Sequence, residues 1–197
     1  MKLLLSTSNE DKTHELKSLL EPLGHTVYTL KDYGLKIRVE AKGITFFQNA
    51  LLKAQAVSKV VDIPVLGDES GLVVPALNGE PGVYSARYAG DGHDDEANIV
   101  KLLKNMRDVP EGERSAHFEC AIVCAFPDGS EICARGRCDG EILYEKHGKG
   151  GFGYDPVFGV ACGKSFGELS PEEKDRISHR GKALRELVTL LEAKEKA

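Results

Sequence analysis

Four segments of the sequence carry side chains that could bind phosphate, a metal ion or a flat base. The first is the acidic pair Asp68-Glu69, which lies between Gly67 and Ser70-Gly71. Carboxylates at the end of a strand suit Mg²⁺, because this ion is usually held by one or two carboxylates together with substrate phosphates. The second carboxylate could orient or deprotonate water. An isolated Asp-Glu pair is also typical of a solvated turn, so both interpretations stay open at this point.

The second segment is Ser6-Thr7-Ser8-Asn9 with Lys12, where a predicted strand leads into a predicted helix. The first turn of a helix presents free backbone N–H groups and the positive end of the helix dipole to an anion. Hydroxyl groups and a lysine add further donors. The segment therefore predicts phosphate binding, although the same residue types also form ordinary helix N-caps.

The other two segments lie in the C-terminal part of the chain. Residues 148–155 are rich in glycine, which permits close approach of a ligand, and Phe152 and Tyr154 offer ring faces to a flat base. Lys174 and the run Ser178-His179-Arg180 form a group of donors at the entrance of a predicted helix. A structural loop and a charged helix face remain the alternatives for these two segments.

The elements that must position these segments follow from hydrophobic periodicity and capping signals. In the N-terminal part they predict a strand at Lys2–Ser6 and then a helix that begins after Asn9 and ends at Gly24. A second strand is predicted at His25–Leu30, and a second helix from Thr45 to about Val60. Thr45 and Gln48 have the spacing of a capping box. Extended segments at Pro64–Gly67 and Gly71–Val74 are expected to flank a sharp acidic corner.

In the later part of the chain, the signals predict a β-hairpin between helices. The predicted elements are a helix at Asp94–Met106, paired strands at Ser115–Phe126 and Ile132–Cys138 around Asp128-Gly129, a short helix opened by Ser170, and a final helix carrying Leu184, Leu187, Val188 and Leu191. Residues 148–153 are expected to be irregular. Early βα units followed by a hairpin predict an α/β fold with a mixed central sheet flanked by helices, as one domain over residues 1–197.

Composition excludes several classes of protein. The formal net charge of −5 over 197 residues argues against nucleic acid as the main partner, since binding to its phosphate backbone needs a surplus of Lys and Arg. The apolar run at the N-terminus is too short for a signal peptide or a membrane span, so we expect a cytoplasmic protein with no membrane partner. The five cysteines are odd in number and suit reduced thiols.

A structural zinc site is an alternative use of the clustered cysteines. Cys120 and Cys124 alternate with Ile122 at even spacing, however, so a strand would direct all three side chains to one face. This pattern favours small buried side chains over metal ligands.

Taken together and in order, these segments resemble the inosine triphosphate pyrophosphatase family, also described as dITP/XTP pyrophosphatases. The resemblance spans nearly the whole chain. The motifs that carry it are TSNEDK at 7–12, TFFQNALLKA at 45–54, GDESGL at 67–72, PGVYSARYAG, GGFGYDP and SHRG. Six ordered motifs are a far more specific signal than a single glycine-rich loop.

The resemblance implies an elongated, two-lobed α/β domain with the substrate in a cleft, usually in a homodimer. It also implies roles for individual residues. The triphosphate would be held by Thr7, Ser8, Asn9, Lys12 and Lys53; the metal would face Glu40, Asp68 and Glu69; Ser70 would contact substrate; and the base and sugar would be enclosed by Phe152, Gly153, Tyr154, Asp155, Lys174, His179 and Arg180.

The implied reaction is Mg²⁺-dependent hydrolysis of ITP, dITP, XTP or dXTP to the monophosphate and pyrophosphate, which cleanses the nucleotide pool. Asp68 or Glu69 would activate water, and Lys12, Lys53 and Lys174 would support the charge on pyrophosphate. Many relatives carry two aspartates where this chain has Asp68-Glu69, which leaves the division of labour between the two acids open.

Two other functions compete with this interpretation. A pyrophosphatase for other modified nucleotides, such as methylated pyrimidines, would have a similar site. A nucleotide-sensing module could use the same phosphate and base pockets without turnover, although it would have no need for an acidic Mg²⁺ cluster.

Overall fold

The structure is a computed structural model that describes residues 1–196. Within these residues the chain forms five α-helices and six β-strands. The helices are α1 (Glu10–Leu20), α2 (Phe46–Ser58), α3 (Asp95–Asn105), α4 (Pro171–Ile177) and α5 (His179–Glu195). The strands are β1 (Lys2–Leu5), β2 (Thr26–Thr29), β3 (Val65–Val73), β4 (Ser115–Ala125), β5 (Glu131–Ile142) and β6 (Phe158–Gly159).

The strands form one sheet in the order β2-β1-β3-β4-β5-β6. Strand β1 runs parallel to β2 and to β3, whereas β5 and β6 are antiparallel. The β4–β5 connection is a tight turn in which the Phe126 N–H donates to Ser130 O. The predicted α/β fold with a mixed sheet is therefore confirmed, and so is the hairpin at Asp128-Gly129.

Helix starts follow the capping residues that the sequence indicates. The side chains of Asn9, Thr45, Asp94 and Ser170 each accept a hydrogen bond from a backbone N–H of the first turn. The predicted capping box at Thr45 is only half formed, because Gln48 accepts from the Ile44 N–H rather than from that of Thr45. Ser170 and Glu173 form the complete box at α4.

The contacts divide the chain into two compact units, each made of discontinuous segments. The first unit comprises residues 1–69, 120–136 and 180–197, and the second comprises residues 70–119 and 137–179. Strands β3, β4 and β5 each contribute residues to both units. The expectation of a single domain over the whole chain stays a prediction.

Each unit has its own hydrophobic core. In the first unit, leucines of β1, α1 and α5 pack with Cys120, Ile122 and Cys124 of β4, which confirms that these three side chains share a buried face. In the second unit, residues of α3 and β4 pack around Phe158 and Phe166. Across residues 1–196, no helix combines the length and apolar character needed to cross a bilayer.

Candidate active site

The acidic pair Asp68-Glu69 lies inside strand β3, not at a corner between two strands. The predicted corner is therefore wrong: residues Val65–Val73 run as one continuous strand. Its neighbours in the sheet are β1 and β4. Glycine and acidic residues have low β-propensity, so local preference does not favour a strand here. Pairing with a strand on each edge keeps the backbone extended nonetheless.

Asp68 is buried and surrounded by groups that favour its ionised form. Its Oδ1 atom lies 2.6 Å from Lys12 Nζ, and its Oδ2 atom accepts from Arg180 Nε at 3.1 Å and from Cys120 Sγ at 3.2 Å. Burial alone would raise the pKa of Asp68, but Arg180 and Lys12 hold that pKa far below its usual range. Asp68 is therefore a permanent anion and a poor proton acceptor at neutral pH.

Arg180 joins Asp68 to helix α1. Its side chain is only 2% exposed, and its guanidinium also pairs with Glu15 through Nη1. Burial alone would lower the pKa of Arg180, but Asp68 and Glu15 raise it well above its usual value. The resemblance assigns Arg180 to the base and sugar, whereas in this structure it holds two carboxylates of the first unit.

Glu15 is a site residue that the sequence reasoning missed. It lies three residues after Lys12 on α1, and this spacing puts both side chains on one face of the helix. An acidic residue on the same helix face as a predicted phosphate-binding lysine was the available signal.

Lys53 brings helix α2 to the acidic pair. Its Nζ atom lies 2.6 Å from Glu69 Oε2 and donates to Asp68 O at 3.2 Å. The helix approaches β3 closely, since a Cβ atom at Gly67 would lie 2.0 Å from Ala50 O. Ser6 Oγ also donates to Lys53 O at 2.7 Å, so α2 is tied to the residue that follows β1 as well.

We call Lys12, Glu15, Lys53, Asp68, Glu69 and Arg180 the Asp68 cluster. Three carboxylates face three cations in it, and its two lysines are held by ion pairs at 2.6 Å. Burial alone would lower the pKa of Lys12, but Asp68 and Glu69 raise it, so this side chain stays charged. The cluster can exchange its internal ion pairs for contacts with an anionic ligand.

The predicted phosphate-binding segment leads directly into this cluster. Asn9 Oδ1 accepts from the Lys12 N–H at 2.9 Å, and Thr7 Oγ1 accepts from the Asn9 N–H at 3.2 Å. Ser8 and Asn9 are exposed and Thr7 is half-buried. The N-cap interpretation is therefore correct, and the cap sets the start of the helix that carries Lys12.

Glu40 is not grouped with the other two predicted metal ligands. Its side chain is 70% exposed and pairs with Lys42 at 2.7 Å. Nowhere in residues 1–196 do three or more His, Cys, Asp or Glu side chains stand together as a metal site. The role of Glu40 stays a prediction.

The chemistry of the other two acids does fit Mg²⁺. Asp68 Oδ1 is buried and makes no hydrogen bond of normal geometry within the described residues, although Lys12 Nζ lies close by. Glu69 follows directly on the same strand. Two neighbouring carboxylates, one with an oxygen whose close partner is the Lys12 ammonium, are the hard ligands that this ion takes in addition to substrate phosphates.

The second unit contains a different kind of charged site. Lys174 Nζ lies 2.7 Å from Asp155 Oδ2, and both side chains are almost fully buried. The ammonium also lies 4.7 Å from the centre of the Phe152 ring and 5.7 Å from that of Phe166, within the range of cation–π attraction. We call these four residues the Lys174 cluster.

The glycine-rich loop is irregular, as predicted, and Asp155 organises it. Asp155 Oδ2 accepts from the Phe152 N–H at 2.9 Å. Gly151 has a φ of +70°, and a Cβ atom there would lie 2.0 Å from Asp155 Oδ2. Glycine is therefore required where the loop closes over this carboxylate.

The remaining predicted residues of the second unit make both hydrogen bonds and packing contacts. Tyr154 is only 4% exposed and donates its hydroxyl to Ser85 O at 2.7 Å, so in this structure it is part of the core rather than an open ring face. The His179 ring stacks on Phe118 with centroids 4.6 Å apart. Gly153 donates its N–H to Asp95 Oδ2, and Ser70 follows Glu69 on β3.

The fold and the Asp68 cluster define a class of α/β protein in which a central strand presents two carboxylates to cations from three helices. The model of the Ham1 family matches residues 3–190. A dITP/XTP pyrophosphatase of Thermus thermophilus is 51% identical over 189 residues, which cover 95% of this chain and 90% of that protein. The dITP/XTP pyrophosphatase of Bacillus subtilis is 44% identical over 96% of each chain.

Solved structures agree with this relationship. The Ham1 protein of Staphylococcus aureus has a TM-score of 0.88 at 39% identity, covering 98% of this chain and 100% of that one. The chain belongs to the Ham1 family. The resemblance inferred from the six motifs is thereby confirmed, and the expected enzyme class, a hydrolase that acts as a nucleoside triphosphate pyrophosphatase, agrees with the names of its relatives.

Proposed function

We propose that this protein hydrolyses deaminated purine nucleoside triphosphates, ITP, dITP, XTP and dXTP, to the monophosphate and pyrophosphate with the help of Mg²⁺. The observation that carries the proposal is the Asp68 cluster. It combines a permanently ionised carboxylate, a second carboxylate beside it, and the lysines that the charge of a triphosphate requires.

The phosphate chain is assigned to cations that the cluster already holds. Lys12 and Lys53 each have one carboxylate partner that a phosphate oxygen could replace. Thr7, Ser8 and Asn9 would add donors at the start of α1. Lys174, which the sequence also suggested for this purpose, is instead paired with Asp155 and is assigned to the base.

Asp68 and Glu69 are given different tasks. Asp68 is too strongly stabilised as an anion to accept a proton near neutral pH, because Arg180 and Lys12 depress its pKa. Glu69 is half-buried and makes its ion pair through Oε2 with Lys53. We therefore assign water activation to Glu69 and a purely anionic role to Asp68.

The reaction step then follows from these assignments. Glu69 accepts a proton from a water molecule whose oxygen forms a bond to the α phosphorus. The bond between that phosphorus and the bridging oxygen to the β phosphate breaks, and pyrophosphate leaves with the bonding electrons. Lys12 and Lys53 stabilise the negative charge that develops on the leaving group.

Asp68 and Glu69 are the residues that would hold Mg²⁺. When bound, this ion supplies charge neutralisation for the phosphate oxygens. A buried carboxylate with a fixed negative charge suits that task, because its charge does not change across the physiological pH range.

Base selection is assigned to the Lys174 cluster. Hypoxanthine and xanthine present a 6-oxo acceptor beside an N1–H donor, whereas adenine presents the opposite pattern. Lys174 offers a donor and Asp155 an acceptor, between aromatic rings. A site matched to the first pattern leaves unpaired groups with adenine, which can discriminate by about 10⁴-fold.

Removal of such nucleotides would cleanse the nucleotide pool, and this is the cellular role that we propose. Action as a homodimer, in the cytoplasm and without nucleic acid, also stays a prediction. The net charge of −5 supports the last of these.

The test is release of pyrophosphate and monophosphate from dITP, XTP, dGTP and dATP, with Mg²⁺ and then with EDTA. Fast cleavage that depends on metal and is confined mainly to dITP and XTP is expected. Orthophosphate in place of pyrophosphate, or no reaction with any of the four, would overturn the proposal. Tight binding of dITP without cleavage would instead identify a nucleotide-sensing module.

A further inference from the structure

Cys120 belongs to a hydrophobic core but also contacts a charged side chain. It lies on the buried face of β4, in the same core as Ile122 and Cys124. Its thiol, however, lies 3.2 Å from Asp68 Oδ2, and β3 and β4 are neighbours in the sheet. The contact therefore joins two residues whose backbones are both held by strand pairing.

The thiol completes the set of groups around Asp68. Arg180 Nε shares the same carboxylate oxygen at 3.1 Å, while Lys12 faces the other oxygen. A carboxylate can still rotate about its Cβ–Cγ bond when each oxygen faces only a long, flexible side chain, because torsions of this type are broad. The short cysteine side chain has a single rotatable bond before its donor, so it restricts that rotation.

We propose that Cys120 is a positioning residue: its S–H group donates a hydrogen bond to Asp68 Oδ2 and keeps Oδ1 directed toward Lys12. Apolar residues of similar size would not do this. Alanine lacks the donor and leaves a gap, and valine would press a methyl group against a buried anion that needs hydrogen bonds. The thiol is small enough for the core and polar enough for the carboxylate.

Cys124 provides a matched control on the same strand. It lies on the same face and in the same core, and it is also fully buried. Its surroundings within the described residues contain no carboxylate that accepts from its thiol. Burial raises the pKa of that thiol, and the charge of Lys194 lowers it. The difference that the experiments use is the carboxylate of Asp68, which lies against the thiol of Cys120 and not against that of Cys124.

The first experiment measures urea unfolding midpoints of Cys120→Ser, Cys120→Ala, Cys124→Ser and Cys124→Ala. At position 120, serine should unfold at a higher urea concentration than alanine, because its hydroxyl can donate to Asp68. At position 124 the order should reverse, because the hydroxyl is buried without a partner. The same order at both positions would overturn the hydrogen bond.

The second experiment measures kcat and KM for dITP, and it rests on the proposed function. Loss of a residue that orients a catalytic or metal-binding group typically costs about 10- to 100-fold. We expect Cys120→Ala to lower kcat by about tenfold with little change in KM, and Cys120→Ser and Cys124→Ala to stay within about threefold of the unmodified protein. An unchanged kcat in Cys120→Ala would overturn the positioning role.

The two experiments separate the two proposals. If the unmodified protein failed to cleave any nucleotide, the proposed function would be wrong, yet the reversal of order in urea would still decide whether the thiol holds Asp68. If the reversal were absent while dITP was cleaved, Cys120 would be an ordinary core residue of an active enzyme.

Discussion

The Asp68 cluster and the Lys174 cluster are both built on a buried pair of opposite charges, yet they differ in composition. Asp68 has several polar partners, and its neighbours Glu69 and Glu15 bring the cluster to three acids and three cations. Lys174 pairs with the carboxylate of Asp155 and lies near aromatic ring faces. One cluster is a dense network of charges, and the other combines an ion pair with ring faces.

This difference indicates what each cluster can bind. Burying a charge is costly unless other charges compensate it, so a network of exchangeable ion pairs suits a ligand with several negative charges. An ion pair beside aromatic rings offers a donor and an acceptor in an apolar setting, which suits a flat uncharged ring with polar edges. Substitutions at single residues test this division between reaction and recognition.

The largest effect is expected from Glu69→Gln. Loss of the proton acceptor should lower kcat by about 10²- to 10⁴-fold for every substrate, while the ratio of kcat/KM between dITP and dATP stays within about threefold. Steady-state assays with both nucleotides measure this. Glu69→Asp, which restores an acid, should stay within about tenfold. A loss below tenfold in Glu69→Gln would exclude Glu69 as the base.

A smaller effect, on selectivity, is expected from Lys174→Met. Removing the donor should reduce the preference for dITP over dATP by about 10- to 100-fold, because the 6-oxo group loses a charged hydrogen-bond partner. Lys146→Met is the matched control, since Lys146 forms an exposed pair with Glu96 in the same unit. Equal changes in kcat for both nucleotides, without loss of selectivity, would assign Lys174 to the reaction instead.

The third effect concerns stability in acid. The depressed pKa of Asp68 contributes stability that is present above the pKa of the unfolded chain, about 3.9, and is lost as pH falls below it. Between pH 5 and pH 2.5 the unfolding free energy of Asp68→Asn should fall by about 2 kcal/mol less than that of the unmodified protein. Urea unfolding at a series of pH values measures this.

The control for the acid series is Asp139→Asn, at an exposed carboxylate paired with Arg137. Exposed pairs contribute little to stability, so this variant should keep the original pH dependence. If the unfolding free energy of Asp68→Asn also kept the pH dependence of the unmodified protein, the partners of Asp68 would not be holding it as an anion.

The smallest effect is expected from Glu40→Gln. Because Glu40 is exposed and paired with Lys42, its loss should raise the Mg²⁺ concentration for half-maximal rate by only about threefold and leave kcat at saturating metal unchanged. Titration of activity with Mg²⁺ checks this. An increase above about 20-fold would attach Glu40 to the Asp68 cluster as a metal ligand.

Local signals in the sequence predicted most of the elements that carry the two clusters. Asn9, Thr45 and Ser170 mark their helix starts through hydrogen bonds to the first turn, and such bonds depend only on neighbouring residues. The turn at Asp128-Gly129 is equally local. The positions of Lys12, Lys53 and Lys174 on helices could therefore be anticipated.

Non-local contacts account for what the sequence did not reveal. The acidic stretch of β3 is extended because β1 and β4 pair with it, and no local pattern encodes that pairing. Tyr154 looked like an open ring face, but its hydroxyl finds Ser85, which is distant in sequence. The helix face of Glu15 could be read from its spacing to Lys12, but its pairing could not, since its partner Arg180 lies on the last helix.

The close approach of α2 to Gly67 limits which residues the protein can accept at position 67. The gap between helix and strand is set there by main chain against main chain, so it cannot be readjusted by repacking side chains. Any larger residue at position 67 would push the helix outward and carry Lys53 away from Glu69. A substitution at this position would therefore weaken the ion pair between Lys53 and Glu69 before it destabilised the fold. The α-hydrogen of Gly67 thus sets the distance between helix and strand on which that ion pair depends.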